Sequence, residues 1–465
     1  MGRLRLSGQE LKRIGYKSDR TISLAINLAR KNFKKAGREE ILITLEKINL
    51  QPHKYLKDPV WGKLAQLLTE KPEEGRKVPD LKKSRRYFKI FGEELIDPEA
   101  IRQMELAMSL PISVKGALMP DAHVGYGLPI GGVLAAYNAV IPYGVGMDIG
   151  CRMCLSVFPF SPRKINDDRE QINGIRMNET GFGAAGFRDE QDHESLGRKE
   201  FDEIKFLRTL HKKFAAQLVT SGHGNHFVDV GHVIIPEYSE LIKLQAGEYF
   251  AVLSHSGSRN FGAEVCRHYT GIARGKLGLR GAEAQLAWLE LGSEEGEEYW
   301  AAMNLAGDYS HANHRIIHRR LARAFGEAPL VIIENHHNFA WKETLATGEE
   351  VVIHRKGATP AGIGDIGVIP GTMASPAFIV GGKGNEESLN SASHGAGRKM
   401  SRNVAVKDLS GKQMKEYLDS RRIELLGAGT DESPFAYKDI HEVMDYQKDL
   451  VEILGTFHPA IVRMA

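Results

Sequence analysis

Short apolar runs separated by glycine are the feature that most restricts the fold of this chain. Between residues 115 and 160, runs such as 130–135 and 139–142 are interrupted or closely followed by glycine. Glycine makes up 49 of the 465 residues, about 10.5% compared with the usual value of roughly 7%. Runs this short are typical of buried strands joined by tight turns, because a helix needs a longer periodic segment. We therefore predict short buried strands in this region.

Strand and helix patterns follow one another irregularly along the rest of the chain. Apolar spacing and charge predict helices over 192–219, 283–326 and 440–454, whereas 248–254 and 330–334 have the composition of strands. The regular strand–helix alternation that produces a parallel sheet is absent. The pattern therefore predicts an α+β fold.

The first 85 residues differ from the rest in both pattern and charge. Apolar residues such as Ile22, Ala25 and Ala29 recur with the helical period, and the charged, proline-containing segment Lys71–Pro79 predicts a linker. The first 90 residues hold 23 Lys and Arg against 10 Asp and Glu, a net charge of +13, so the remaining 375 carry −10 of the total of +3. A basic segment suits contact with RNA, although a solvated lysine-rich helix surface explains the charge equally well. We predict a basic helical accessory module over 1–85, followed by a main domain over 86–465.

Cysteine content and hydropathy indicate the compartment. The three cysteines, Cys151, Cys154 and Cys266, are too few for a disulfide framework and indicate a reducing environment. The N-terminus lacks the apolar segment of a signal peptide, and no run of 18 apolar residues is present. We expect a cytoplasmic protein that does not associate with membranes.

Side chains that could bind a metal lie in compact motifs flanked by glycine. The candidates are Asp121, His123, Asp148, Cys151, Asn225, His226, His255, His337, Asn338 and His394. A single histidine in such a loop is more often a hydrogen-bonded structural residue. The set as a whole, however, offers carboxylate, thiolate and imidazole donors that suit Mn²⁺, Zn²⁺ or Fe²⁺, and a thiolate can bridge two ions. Two adjacent ions stabilise displacement at phosphorus, so the set predicts a metal-dependent reaction of phosphate groups.

The run from Ser391 to Arg398 singles out His394 among these candidates. Gly-Ala-Gly follows the histidine and leaves its ring uncrowded on that side. This suits a nucleophile that a nucleotide phosphate must approach closely. Cations in neighbouring motifs, namely Arg259, Arg355, Lys356, Arg398 and Arg402, predict clamps for triphosphate or RNA phosphates. We infer covalent nucleotidyl transfer.

Other motifs give weaker evidence for a functional site. Cys151 and Cys154 form a single CxxC without a second pair, which argues against a zinc ribbon and predicts that Cys154 is a packed thiol. His311, His314 and His318 share one helical face, which we interpret as a solvated or phosphate-facing surface. No run has the complete glycine pattern of a Walker A or dinucleotide-binding motif.

The motifs together resemble those of the RtcB family of RNA ligases over roughly residues 90–465. The matching segments are Met119–Gly132, Val145–Met153, Gly224–Phe227, His255–Arg259, His337–Asn338, Arg355–Ala358, Ile369–Met373, Gly384–Ser388, His394–Arg402 and Ala436–Asp439. The resemblance implies one large catalytic domain with mixed or antiparallel sheets and peripheral helices. It also implies a manganese- and GTP-dependent ligase that joins a 2′,3′-cyclic phosphate or 3′-phosphate RNA end to a 5′-hydroxyl, as in tRNA splicing and RNA repair. An archease-type activator is a possible partner.

The resemblance further implies roles for individual residues. His394 becomes guanylylated, GMP passes to the RNA 3′-phosphate to give an RNA(3′)pp(5′)G end, and Asp121 orients the histidine ring. Two Mn²⁺ ions share Cys151, with Asp148 and His226 completing one site and His255 and His337 the other. The implied nucleotide contacts are Asn225, His226, Asp229, Asn338, Thr372, Ala396, Gly397 and Tyr437.

The chain departs from the family pattern where the base of the nucleotide is expected. The usual Val-Lys-Gly end is replaced by Val462 to Ala465, which lacks the base-contacting lysine unless Arg463 substitutes for it. Thr372, Ala377 and Asp229 replace a serine, another serine and a glutamate. Losing one hydrogen bond to a purine relaxes selectivity by ~1–3 kcal/mol, so nucleotidyl transfer is expected with less strict use of GTP.

Three functions remain open from the sequence. The first is an RNA ligase. The second is an enzyme that stops earlier, by capping 3′-phosphate ends or hydrolysing cyclic phosphates. The third is an RNA-binding scaffold without catalysis, against which the complete ligand set and His394 argue.

Overall fold

The structure is a computed structural model that describes residues 6–16, 19–33, 36–69, 79, 81, 87–182, 193–222 and 224–464. Contacts between residues divide the chain into two compact units, Met1–Lys77 and Val78–Ala465. The boundary predicted at residue 85 stays a prediction, and the predicted linker lies outside the described residues except for Pro79. Among the described helices, none combines the length and the apolar character needed to cross a membrane.

The first unit contains helices α1 (Gly8–Arg13), α2 (Asp19–Asn32), α3 (Arg38–Leu50) and α4 (Gly62–Thr69). Ser7 and Glu10 form a capping box that begins α1, because each side chain satisfies a backbone N–H of the other residue. Buried side chains include Ala25 and Ala29, which the helical period selected. Trp61 stacks on Phe33 with ring centroids 5.2 Å apart. These contacts give the unit its own apolar core.

The second unit contains most of the strands and helices. Its strands are β1 (Lys89–Ile90), β2 (Ser113–His123), β3 (Ile130–Ala136), β4 (Ala139–Val140), β5 (Arg152–Val157), β6 (Phe227–Ile235), β7 (Gly247–Ser256), β8 (Leu289–Glu290), β9 (Val331–His336), β10 (Asn338–Thr344), β11 (Glu350–Lys356), β12 (Ala358–Pro360), β13 (Ile366–Ile369), β14 (Ala377–Gly382), β15 (Ser391–Ser393), β16 (Glu424–Leu426) and β17 (Val451–Arg463). Its helices are α5 (Pro98–Met108), α6 (Pro142–Val145), α7 (Lys164–Asp167), α8 (Arg169–Glu179), α9 (Glu200–Glu203), α10 (Lys205–Arg208), α11 (His211–Ala215), α12 (Asn260–Leu277), α13 (Glu294–Phe325), α14 (Arg402–Asp408), α15 (Gly411–Ser420) and α16 (Ile440–Asp445). Short 3₁₀ turns span Pro52–Tyr55 in the first unit and Glu93–Leu95, Glu194–Leu196, Glu283–Leu286, Glu386–Ser388, Thr430–Glu432 and Pro434–Ala436 in the second.

Two larger sheets organise the second unit. The larger has the order β13-β14-β17-β6-β7-β5-β9, with β16 pairing alongside β17, and the smaller has the order β1-β2-β3-β11-β10. Strands β12 and β15 form one small ribbon, and β4 and β8 form another. Neighbouring strands run antiparallel except in the pairs β1–β2 and β16–β17. The described residues thus form a mixed fold of helices and largely antiparallel sheets, as the sequence pattern predicts.

One edge of the larger sheet carries the metal-ligand candidates. Strands β6, β7, β5 and β9 are consecutive neighbours in the sheet. Because neighbouring strands run antiparallel, the start of β6, the end of β7, the start of β5 and the end of β9 meet at the same edge. His226, His255, Cys151 and His337 occupy those four positions. The register of the strands therefore gathers residues that are distant in the sequence.

Three helix predictions differ from the structure. The helix predicted over 283–326 begins only at Glu294, after the 3₁₀ turn Glu283–Leu286 and strand β8. The helix predicted over 440–454 ends at Asp445, and Val451 begins a 13-residue strand that pairs with β14 and β6. Val451, Phe457 and Ile461 of this strand are buried, and its pairing with two neighbours is a tertiary effect that local spacing does not report. The helix predicted over 192–219 is divided, within the described part, into the short helices α9, α10 and α11.

Candidate active site

Cys151 lies at the centre of two overlapping groups of potential metal ligands. One group is Asp148, Cys151 and His226, and the other is Cys151, His255 and His337; within each group the donor atoms lie within 4.8 Å of one another. The Cys151 Sγ atom is 3.1 Å from Nε2 of His255 and 3.6 Å from Nε2 of His226. His226 Nε2 is 3.0 Å from Asp148 Oδ2, and the Nε2 atoms of His255 and His337 are 3.2 Å apart. The arrangement is that of two adjacent sites sharing one sulfur atom.

Backbone carbonyl groups orient two of these histidines. His226 Nδ1–H donates to Ser221 O at 2.7 Å, and His255 Nδ1–H donates to Asn225 O at 3.0 Å. Each ring therefore directs the lone pair of Nε2 toward Cys151, which is the orientation that second partners give to metal-binding imidazoles. Asp148 Oδ1 is buried and has no hydrogen-bond partner among the described residues. A cation would satisfy this orphaned oxygen, so the donor set fits a metal ion.

The protonation states of the group also suit a cation. Burial lowers the pKa of His255 to about 3 and lowers that of His337 well below its ordinary value, so both rings are neutral. Burial is the largest single influence and raises the pKa of Asp148, but the interactions with His226, Cys151 and His255 together outweigh it and the net direction is downward. Burial and the Asp148 charge raise the pKa of Cys151. The thiol therefore keeps its proton until a divalent cation displaces it, as coordinated thiols do.

A glycine permits the close approach of backbone to carboxylate in this cluster. Gly257 follows β7, and a Cβ atom there would lie 2.1 Å from Asp148 Oδ1. No side chain fits at that distance. The glycine in the motif after His255 is thus required by the position of Asp148, independently of any turn.

His394 lies beside this cluster, with its ring held by a buried carboxylate. Its Nδ1–H donates to Asp121 Oδ2 at 2.6 Å, and its backbone N–H donates to the same oxygen at 3.2 Å. Burial raises the pKa of Asp121, but interaction with His394 and Lys438 outweighs this and the net direction is downward. Asp121 is therefore a hydrogen-bond acceptor, which fixes the proton on Nδ1 and leaves Nε2 with its lone pair. The ring centroids of His394 and His337 are 5.0 Å apart.

A cavity of about 460 Å³ connects these groups with the predicted nucleotide contacts. The predicted residues that line it are Asp148, Cys151, Asn225, Asp229, His255, His337, Asn338, Thr372, His394, Ala396, Gly397 and Tyr437. His226 lies in the ligand cluster, and Asp121 is fully buried in contact with His394. Gly397 has φ +72°, and a Cβ atom there would lie 2.1 Å from Asp121 O. The structure thus brings the predicted site residues together in one region.

The other end of the cavity contains an ionic network that sequence reasoning missed. Glu432 is buried there, and its carboxylate contacts the Tyr437 hydroxyl, Arg398 and Arg402. Arg398 also donates to the Tyr437 oxygen at 3.0 Å and lies over its ring. Burial raises the pKa of Glu432. Its sequence context, a polar loop before Pro434, gave no signal of burial.

The roles predicted for several arginines need correction. Arg463 does not line the cavity: its guanidinium donates to Arg176 O and to Thr180 Oγ1, and Met464 lines the cavity instead. Arg355, predicted as a phosphate clamp, is buried against Glu343 outside the cavity lining. Arg398, Arg402 and Lys356 do line it, whereas Arg259 does not.

The histidines of α13 are not a surface group as predicted. His314 and His318 are buried, and both contact the Ser254 hydroxyl at 2.8 Å. His314 also hydrogen-bonds to Ser256 O, and His318 to Ser156. Only His311 remains exposed among the three. With both ring nitrogens of His314 and His318 engaged, the pair packs the helix on the sheet; Cys154 beside them is buried, as predicted.

Comparison with known proteins agrees with these motifs. The family model described as "tRNA-splicing ligase RtcB" matches residues 103–204 and 171–465. The chain is 29% identical over 396 residues to the RNA-splicing ligase RtcB of Escherichia coli K12, covering 79% of this chain and 94% of that protein. It is 30% identical over 431 residues to the tRNA-splicing ligase RtcB of Methanococcus maripaludis, covering 77% and 89%. With the RNA-splicing ligase RtcB of Mycobacterium tuberculosis the identity is 31% over 393 residues, covering 70% and 91%. The chain therefore belongs to the RtcB family.

Proposed function

We propose that this chain is an RNA ligase that joins a 3′-phosphate or 2′,3′-cyclic phosphate RNA end to a 5′-hydroxyl end through a covalent His394–GMP intermediate. The observation that carries the proposal is the position of His394. Its Nδ1 is tied to the buried Asp121 carboxylate at 2.6 Å, and it shares one cavity with the ligand group around Cys151. Family membership supports the same reaction class.

We propose that the two donor groups around Cys151 would hold two Mn²⁺ ions, and their chemistry supports this. Asp148, Cys151 and His226 would hold one, and Cys151, His255 and His337 the other. Bound there, the two ions supply electrostatic stabilisation of charge on phosphate oxygens during displacement. The neutral imidazoles and the hydrogen bonds from His226 and His255 to backbone carbonyls prepare the donors before any ion arrives.

The chain's own residues account for the first covalent step. Asp121 keeps the proton on Nδ1 of His394, so the lone pair of Nε2 attacks the α-phosphorus of GTP. A P–N bond forms, the bond to the β-phosphate oxygen breaks, and pyrophosphate leaves. Asn225, Asn338, Thr372, Ala396 and Gly397 are the proposed contacts that hold the nucleotide in line.

Two further displacements complete the reaction. An oxygen of the RNA 3′-phosphate attacks the phosphorus of His394–GMP, the P–N bond breaks, and an RNA(3′)pp(5′)G end results. The 5′-hydroxyl then attacks the 3′-phosphorus, loses its proton, and releases GMP. A 2′,3′-cyclic phosphate first requires hydrolysis to a 3′-phosphate. Each step replaces one bond to phosphorus, which is the logic of covalent catalysis.

We call the part of the cavity lined by Asp229, Glu432, Tyr437 and Met464 the base end, because the base of the nucleotide is proposed to bind there. This part supports a second candidate function with relaxed nucleotide use. Met464 lines the cavity, and the side chain of Arg463, the cation next to it at the chain end, instead donates to Thr180 outside the cavity. An enzyme with weak base contacts and complete catalytic groups could cap 3′-phosphate ends without sealing them, or hydrolyse cyclic phosphates.

One experiment separates these functions. The protein is incubated with Mn²⁺ and GTP or ATP labelled at the α-phosphate, first alone and then with 3′-phosphate and 5′-hydroxyl RNA. Ligation predicts a labelled protein that disappears as joined RNA forms, and His394→Ala should abolish both. Capped RNA without joined product favours the second candidate. A further arm with 2′,3′-cyclic phosphate RNA measures hydrolysis to a phosphate monoester. Absence of labelled protein, labelled RNA, joined RNA and hydrolysed cyclic phosphate would remove both enzymatic functions.

The accessory module and partners are separate proposals. We propose that residues 1–85 form a basic module that helps to bind RNA, since the first 90 residues carry a net charge of +13. Removing residues 1–85 should weaken RNA binding and flatten its dependence on salt; unchanged binding would leave the module a structural or docking role. An archease-type activator, added to the joining assay, should increase the number of turnovers if the chain depends on one.

A further inference from the structure

Exposed apolar side chains gather at one rim of the active-site cavity, where the proposed chemistry does not use them. Val124, Tyr126 and Met147 are exposed, and all three line the cavity. Single exposed apolar residues are common on protein surfaces. Three at one rim, with Met147 next to the ligand candidate Asp148, form a patch continuous with a binding cavity, and such patches mark interaction sites.

The backbone beneath Tyr126 is fixed, whereas its ring is accessible. Lys356 Nζ donates to the carbonyl oxygens of Tyr126 and Tyr143, at 3.1 Å for the second. Gly127 donates its N–H to Gln285 Oε1 at 2.8 Å. Tyr126 is nevertheless 63% exposed. A rigid backbone that presents an open aromatic face loses little entropy when a flat ligand binds.

Tyr143 packs edge-to-face against the exposed Tyr126 ring. The two ring centroids are 6.5 Å apart and the rings are nearly perpendicular, at 82°. Lys356 and Arg274 lie over the Tyr143 ring, 5.8 Å and 5.7 Å from its centroid. Tyr143 is therefore already engaged by cations, which leaves the Tyr126 ring as the available stacking surface. Of the two cations, Lys356 also lines the cavity, where its ammonium group can attract a phosphate.

The rim is also close to the reacting histidine. Lys356 is followed by Gly357, and a Cβ atom at Gly357 would lie 3.1 Å from Cε1 of His394. The residue that fixes Tyr126 is thus adjacent in sequence to the residue that packs against the His394 ring. Tyr126 and His394 also line the same cavity.

We propose that Tyr126, supported by Tyr143 and Met147, is a stacking platform for an unpaired base at the RNA end being joined. Proteins bind unpaired RNA bases on aromatic side chains, and such stacking tolerates any base because every base has a π-face. The inference rests on the proposed function, because it supplies a binding site for the RNA end rather than for the nucleotide. It adds a base contact to a reaction that otherwise involves phosphates and hydroxyls.

The test uses RNA carrying 2-aminopurine at its terminal nucleotide, in one arm at a 3′-phosphate end and in the other at a 5′-hydroxyl end. Stacking on Tyr126 should quench the fluorescence in one arm, which identifies the end that is bound. Tyr126→Ala should weaken binding and raise KM for that RNA by roughly 5- to 150-fold, the usual effect of removing one stacked aromatic. Tyr126→Phe and Tyr126→Trp should retain binding.

Tyr137 provides a matched control, because it is 61% exposed and does not line the cavity. Tyr137→Ala should bind RNA like the wild type, and all four variants should form the His394 adduct normally, since that step needs no RNA. If Tyr126→Ala joins RNA as well as Tyr137→Ala does, or loses adduct formation, the platform is wrong while the ligase function stands. If the wild type transfers nucleotide to no RNA end, the proposed function fails and the platform fails with it.

Discussion

The metal end and the base end of the cavity are built in different ways. At the metal end, Cys151, His226, His255 and His337 occupy positions at the ends of neighbouring strands, so the register of the sheet places them. At the base end, Tyr437, Glu432 and Arg398 come from loops and hold one another through side-chain contacts. A metal-ligating residue at the metal end is held in place by the sheet. A residue at the base end is held by contacting side chains, so it can be substituted together with the residue that it contacts.

The two ends also differ in charge. Asp148 at the metal end has a lowered pKa and is ionised, because its interactions with His226, Cys151 and His255 together outweigh burial. Asp229 lines the same cavity at the base end, and burial raises its pKa to about 7. The difference teaches that the proposed metal ligands are placed by strand register, whereas Tyr437, Glu432 and Arg398 are placed by contacts between side chains. Departures from the family pattern at Thr372, Ala377 and Met464 all fall in the lining of the cavity.

The largest effect is expected at the shared ligand. Cys151→Ala removes a donor from both groups, so the bound Mn²⁺ should fall from two ions to at most one per chain. Formation of the His394 adduct should drop by about 10³-fold or more, because both ions act on the same phosphate. Metal analysis after gel filtration and labelling with α-phosphate-labelled GTP measure the two quantities.

Cys154→Ala is the matched control for that variant. Cys154 is equally buried and lies three positions along the chain, but it is outside both ligand groups around Cys151. It should keep two ions and normal labelling. Two ions bound to Cys151→Ala would show that the sulfur is not shared and would remove the rigidity argued for the metal end.

A somewhat smaller effect is expected when the His394 ring loses its orienting carboxylate. In Asp121→Asn, the amide can present a donor to Nδ1, which shifts the proton to Nε2 and removes the attacking lone pair. Comparable tautomer changes cost about 10⁴-fold, and we expect a loss of roughly 10²- to 10⁴-fold in the rate of adduct formation. The Mn²⁺ content should stay at that of the wild type. Normal adduct formation would mean that Asp121 only packs against the ring.

A modest effect is expected at the base end. Met464→Lys places an amine at the cavity lining and should increase the preference for GTP over ATP in adduct formation by about 2- to 10-fold, the contribution of one hydrogen bond. Arg463→Lys is the control, because the Arg463 side chain contacts Arg176 and Thr180 outside the cavity. The ratio of kcat/KM for the two nucleotides measures the change. An equal shift in both variants would mean that the chain end is rearranged when nucleotide binds.

Motif context made much of the metal end predictable from sequence. Histidines flanked by glycine, next to short apolar runs, were predicted as metal ligands. His226 and His255 are examples, and the register of β6 and β7 brings them close together. The helical period likewise selected Ala25 and Ala29 of the first unit, both of which are buried. In each case the signal is local, because position relative to a strand end or a helix face determines where the side chain lies.

The failures involve contacts that local patterns do not contain. His314 and His318 fit a helical surface by charge, yet the hydroxyls of Ser156 and Ser254 and a carbonyl oxygen of β7 satisfy their nitrogens and allow burial. Val451 begins a strand because β14 and β6 offer pairing partners, although its spacing also fits a helix. Glu432 is buried because two arginines from another motif meet it. Such compensation between distant residues is invisible in any one segment.

The last prediction concerns stability rather than activity, and it tests whether Asp229 is an uncharged carboxyl in the cavity. Burial raises the pKa of Asp229 to about 7, and the Arg176 charge and the Arg463 N–H only partly oppose this, whereas an unfolded aspartate ionises near pH ~4. The folded chain thus keeps a proton that the unfolded chain loses, so this stabilising contribution is complete below about pH 4 and is lost as the pH rises through about 7. Asp229→Asn cannot ionise and should gain about 2 kcal/mol relative to the wild type between about pH 5 and pH 8. Denaturant unfolding with chelator at both pH values measures this, and Asp445→Asn, at an exposed carboxyl, should follow the wild type. If the free energy of unfolding of Asp229→Asn changed with pH in the same way as that of the wild type, Arg176 would keep Asp229 ionised. The two ends of the cavity would then not differ in charge.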